Sequence, residues 1–82
     1  MSQFLVFFGR EPFEVEADRN RNARWKVADL VRDKYDFKCP LEMLIPYLKV
    51  HKIPEPDKSD PTGEQLAKDI KGLKYYKERY ER

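Results

Sequence analysis

The chain has 82 residues, 40% hydrophobic and 39% charged, with 17 Lys and Arg against 15 Asp and Glu for a net charge of +2. That length supports one small domain, residues 1–82, which buries only about 60–65% of its unfolded surface and is therefore of modest stability. The near balance of charge excludes a broadly cationic nucleic-acid or membrane binder, and the lone Cys39 excludes an internal disulfide.

One cysteine and no Asn-x-Ser/Thr acceptor fit an intracellular setting, cytoplasmic or nuclear. Only about six apolar residues precede Arg10 and Glu11, too few for a signal-peptide core or a membrane span. No membrane association is expected.

The stretch "FLVFFGREPFEVEA" predicts a hairpin over residues 3–17, with Gly9-Arg10-Glu11-Pro12 as its loop. Its second strand alternates: Phe13, Val15 and Ala17 on one face, Glu14 and Glu16 on the other. Its first strand, Phe4 to Phe8, is apolar on both faces. A four-residue loop sets Phe8 opposite Phe13 and Val6 opposite Val15. Phe4, Val6 and Phe8 then enter the core, while Leu5 and Phe7 face outward beside the glutamates; a shift of one residue inverts the two sets. Either a later segment covers the outward pair or it forms an exposed apolar patch that meets a partner.

A helix is expected over residues 23–36, with Asn22 as N-cap and Ala23, Val27, Leu30, Val31 and Tyr35 as the apolar stripe. Trp25 falls well round from the centre of that stripe, on the side of Asp29 and Arg32. In "PLEMLIPYLKV" the residues Leu41, Leu44, Ile45 and Leu48 have helical spacing, yet Pro46 interrupts them, so an edge strand, a short broken helix and a continuous helix all fit. Residues 53–61, with three prolines, read as a surface loop. In the C-terminal element, 62–82, Thr62-Gly63-Glu64-Gln65 has capping-box spacing. Gly72 either sits within one helix or ends a short one and leaves Leu73 to Tyr80 as a strand.

This order of elements resembles the ubiquitin-like β-grasp. The stretches that carry the likeness are "FLVFFGREPFEVEAD" for the first hairpin, "RWKVADLVRDKY" for the helix and "TGEQLAKDI" for the glycine-led short helix before the last strand. The resemblance implies an α+β fold in which a mixed sheet wraps one long helix, and an interaction role without catalysis. The tail "KERYER" lacks the glycine pair of conjugated modifiers. A hairpin followed by three helices is the alternative architecture.

No catalytic signature is present. His51 is the only histidine and Cys39 the only thiol, which makes a metal site unexpected; Cys39 reads as core filler and no cofactor is implied. Two stretches suit recognition. "RNRNARWK" holds four cations, two amides and a tryptophan without an acid, and a helix start there adds positive potential. The tail "KGLKYYKERYER" carries five cations against two acids, with three tyrosines of which at least one should pack inward.

The expected function is therefore that of a protein-binding module or adaptor. Leu5 and Phe7 supply apolar contact, Trp25 the anchor, and Arg21, Arg24 and Lys26 the orientation toward an acidic partner. The rival class is a small RNA- or single-stranded-DNA-binding protein that uses Arg19, Arg21, Arg24, Lys26, Lys74, Tyr76 and Lys77. A viral or phage inhibitor of a host complex would use the same chemistry as the first. A homodimer through the outward strand face is also compatible with the pattern.

Overall fold

The computed structural model describes residues 2–51 and 60–80. Most of the loop expected at 53–61 lies outside the described residues. The fold is α+β: strands β1 (Ser2–Phe8) and β2 (Glu11–Ala17), helix α1 (Asn20–Tyr35), helix α2 (Leu41–Leu44), a 3-10 turn (Ile45–Tyr47), strand β3 (Leu48–His51), and helices α3 (Gly63–Lys71) and α4 (Lys74–Arg79).

The sheet has the order β2-β1-β3 and is antiparallel throughout. β1 is the central strand, paired along both edges, and its two apolar faces meet different surroundings. Val6 and Phe8 enter one core cluster with Ala17, Ala23, Val27, Ala28 and Val31, so α1 covers that face. Phe7 points to the other face, between Pro12 and Lys49 in the pairing register, and is nevertheless only 2% exposed. Lys49 there reaches Asp60, 3.5 Å away. Leu5, flanked by Glu14 and His51 along the ladder, is half-buried.

The hairpin loop is two residues shorter than the four expected. Gly9 takes φ +64°, a left-handed conformation that permits a two-residue turn, and Phe8 pairs with Glu11 instead of Phe13. A shift of two preserves side-chain parity, so Phe4, Val6 and Phe8 keep the core face and Leu5 and Phe7 the opposite one. Gly9 also packs closely: a Cβ there would lie 2.5 Å from the Pro61 carbonyl oxygen.

Helix α1 begins earlier than expected, with Arg19 and not Asn22 in the N-cap position, and ends one residue earlier, where Asp36 turns left-handed at φ 55°. Its buried residues are Ala23, Val27, Ala28 and Val31. Ala28 takes the place assigned to Leu30, which is 46% exposed. The small Ala28 lets the helix settle with that side inward, which rolls the larger leucine toward solvent.

Pro46 decides the ambiguous middle segment. It is accommodated in the 3-10 turn, where its missing N–H costs nothing, and the chain changes from helix to strand across it. In α3, the Thr62 hydroxyl caps the helix by accepting from the Gln65 backbone N–H at 3.2 Å. Gly72 stays right-handed between two helices, so residues 74–79 form α4 and not a final strand. Tyr76 is the tyrosine that packs inward. It belongs to an aromatic chain that runs from Phe8 through Phe37 to Tyr76 and Tyr80, with ring centroids 5.5–6.2 Å apart.

The three-stranded antiparallel sheet and the helical C-terminal element differ from the mixed sheet and closing strand that the ubiquitin-like resemblance implied. No helix among the described residues is long and apolar enough to cross a membrane.

Candidate functional site

The basic stretch forms the first two turns of α1. Its N-cap, Arg19, is extended at φ −141° and offers no side-chain acceptor, and the first turn contains no acid. The leading backbone N–H groups are thus uncapped by side chains and sit among exposed Arg19, Arg21 and Lys26. Cations at this end oppose the helix dipole, an arrangement unfavourable by about 0.3–1 kcal/mol per charge. Local helix stability does not explain it.

Trp25 lies one turn after Arg21, and at roughly 100° per residue it points about 160° away from buried Val27. It is half-buried and absent from the residues packed on the core cluster. Arg24 is also partly covered, and its Nε is buried without a hydrogen-bond partner among the described residues. Among the described residues no carboxylate pairs with Arg19, Arg21, Arg24 or Lys26. Lys26 leaves the group in a different direction: its Nζ donates to the Glu16 carbonyl oxygen, 2.5 Å away on β2.

The residues expected to act together are thus divided. Arg21 and Trp25 occupy the solvent side of α1, whereas Leu5 lies on the sheet face opposite that helix. Phe7 shares that face but is closed to solvent and offers no docking contact. Of the expected nucleic-acid contacts in the tail, Lys74 and Lys77 are exposed on α4. Tyr76 is only 2% exposed, and its hydroxyl accepts from the Lys38 backbone N–H at 3.0 Å, so it cannot stack on a base. Its burial follows from the aromatic path through Phe37, which sequence spacing does not reveal.

A feature that the sequence reading missed is an open cleft of about 510 Å³ lined by Arg10, Glu11, Lys34, Tyr35, Thr62, Gly63 and Glu64. At its floor the Glu11 carboxylate accepts from the Tyr35 hydroxyl and pairs with Lys34. The Glu11 side chain is 21% exposed. Gly63, the first residue of α3, approaches it so closely that a Cβ would meet both Glu11 and Tyr35. Each carboxylate oxygen thus has one partner from its own chain. The one sequence signal was a glycine directly after a helix cap, where a residue with a side chain is normally the better helix former.

Cys39 lies in the core cluster. Burial pushes its thiol above the ordinary 9.0, with a backbone hydrogen bond and Arg32 acting in the other direction. Burial first, then the Glu64 charge, raises Tyr35 from 10.0. Tyr47 is raised from the same value, again by burial first and then by Tyr75. Such groups keep their protons in the folded state after the unfolded chain has lost them. Their contribution is intact below the unfolded values of 9.0 and 10.0 and is lost as pH rises through the folded ones. The urea midpoint is expected to be level from about pH 7 to 8 and to fall above about pH 9, with a shallower fall in Cys39→Ala. A midpoint that climbs over the alkaline range would contradict this.

No group of three or more His, Cys, Asp or Glu among the described residues is arranged to hold a metal ion. No protein-family model matches the chain, and no curated protein or solved structure matches it either.

Proposed function

We propose that this chain is a non-catalytic protein-binding module that takes an acidic partner on the outer side of α1, with Trp25 as the apolar anchor and Arg21 and Arg24 as the charged rim. The supporting observation is a half-buried tryptophan outside the core cluster, set among cations that have no carboxylate partner within the described residues. An arginine beside an aromatic ring is the combination most often responsible for binding energy at protein interfaces. The uncapped start of α1 adds positive potential, which favours encounter with an acidic surface. The ubiquitin-like resemblance is not needed for this reading.

Binding of nucleic acid is the competing outcome, and one titration separates the two. Trp25 is the only tryptophan, so its fluorescence reports the site directly. A peptide rich in Glu and Leu is expected to shift that emission, and Arg21→Glu to weaken binding by roughly tenfold or more. Trp25→Ala, followed by calorimetry, is expected to weaken it comparably. Stronger quenching by oligothymidylate, with a steep loss of affinity on added salt, would replace this reading with single-strand binding. If neither ligand perturbs Trp25, the reading fails.

A further inference from the structure

β2 forms one edge of the sheet, and the two sides of that edge differ in charge. On the side covered by α1 stand exposed Arg19 and Lys26, with Leu30 one turn beyond Lys26 and 46% exposed. On the opposite side stand exposed Glu14 and Glu16, with half-buried Leu5 directly across the ladder from Glu14. Each side carries an apolar residue outside the core cluster: Leu30 stands between Lys26 and exposed Asp33, and Leu5 stands across from Glu14 with exposed Lys49 on the same face. We propose that these two sides recognise each other in a second copy of this chain, forming a two-fold homodimer along β2.

The levels along the edge match. The bond from Lys26 to the Glu16 carbonyl oxygen fixes the basic flank at the height of Glu16. Leu30 lies about 6 Å further along the helix at 1.5 Å per residue, and α1 runs back along β2. That distance corresponds to roughly two strand residues, which brings Leu30 to the height of Glu14 and Leu5. A two-fold axis parallel to β2 exchanges the faces of the sheet and leaves height unchanged. It therefore sets the Arg19 and Lys26 flank of one copy beside the Glu14 and Glu16 flank of the other, with Leu30 and Leu5 at the same height, twice over. The contact is closed and does not propagate into a filament.

The contact is made by side chains and does not extend the sheet. Pro12 lacks an N–H, and the Glu16 carbonyl is already occupied by Lys26, so β2 is a poor template for another strand. Arg21 and Trp25 lie on the other flank of α1 and stay free. A failed dimer leaves the acidic-partner reading standing, and failure of that reading leaves the dimer standing.

The test is the mass of the full chain by light scattering or sedimentation equilibrium. The wild type is expected to be dimeric in low salt and to weaken in high salt, as exposed ion pairs do. Glu14→Lys/Glu16→Lys and Arg19→Glu/Lys26→Glu are each expected to weaken the dimer by more than about tenfold through like-charge contact. Mixing the two variants is expected to restore a dimer containing one copy of each. Leu30→Ser, at a site already exposed, is expected to give a folded monomer by circular dichroism, which keeps the test decisive if a charge reversal fails to fold. A wild type that stays monomeric in low salt up to about millimolar concentration, where only the weakest association would escape detection, overturns the proposal and leaves these sides to a different protein. Reversal variants that dimerise as well as the wild type, or a mixture that stays monomeric, overturn it as well.

Discussion

Replacing Tyr76 with alanine is expected to destabilise the fold by about 3–5 kcal/mol, a large part of the roughly 5–15 kcal/mol that holds a domain together. The ring is 2% exposed and touches Phe37 edge-on at 6.2 Å and Tyr80 at 5.5 Å. It joins α4 to the segment after α1, and through Phe37 to Phe8 of the central strand. Tyr76→Phe keeps the ring but leaves the Lys38 N–H without the hydroxyl that accepts from it at 3.0 Å. That change is expected to cost about 1 kcal/mol. Urea unfolding followed by far-ultraviolet circular dichroism measures both. An alanine variant within about 1 kcal/mol of wild type would mean that α4 is not part of the cooperative core.

The fate of Tyr76 shows what the sequence could and could not disclose. Alternation in β2, the helical stripe of α1 and the Thr62 cap are local patterns, and each was legible because neighbours in the chain decide it. The middle position of β1 was legible only as a problem, an apolar strand with two faces to cover. Its place between two strands needed the partner β3, about 40 residues away, a separation that no periodicity encodes, and cover of the faces is a further tertiary matter. Leu30 was misplaced for a related reason. It and Ala28 both flank Val27 and Val31 on the helix, and the docking angle of α1 on the sheet chose between them. The inward turn of Tyr76 on α4 likewise follows its contact with Phe37, which residue spacing does not disclose.

The candidate surface divided in the same way. The cations of "RNRNARWK" were visible at once, but which of them accompany Trp25 depended on the direction each takes from the helix. Lys26 turns to β2, and Arg21 stays with the tryptophan. Leu5 and Phe7 are two residues apart and share a face, yet one is half-buried and the other closed. Depth below the surface is a tertiary property, and strand alternation gives only the side.

Gly63→Ala supplies the other large effect, with a sign opposite to the one helix propensity predicts. Alanine is the better helix former by up to about 1 kcal/mol, so a surface glycine in α3 would normally be improved by the change. Here the added Cβ would lie 2.7 Å from the Tyr35 hydroxyl and closer still to the Glu11 carboxylate. Both are side-chain ends, but the Glu11 Cβ would also lie 3.0 Å away and moves only with β2, and the carboxylate would have to leave Lys34 and Tyr35 to make room. Overpacking of this kind costs about 1–3 kcal/mol, so a net loss is expected in urea unfolding. Gly72→Ala is the control: its Cβ would lie 3.3 Å from the Lys68 carbonyl oxygen at an ordinary φ of −81°, and a change within a few tenths of a kcal/mol is expected. The double variant Glu11→Ala/Gly63→Ala then locates the cause. Removing the carboxylate opens the space, so Gly63→Ala should be markedly cheaper in that background, with a coupling of about 0.5–3 kcal/mol. Strictly additive losses would show that α3 is not clamped by Glu11, and that the walls of the adjoining cleft are held apart by something else.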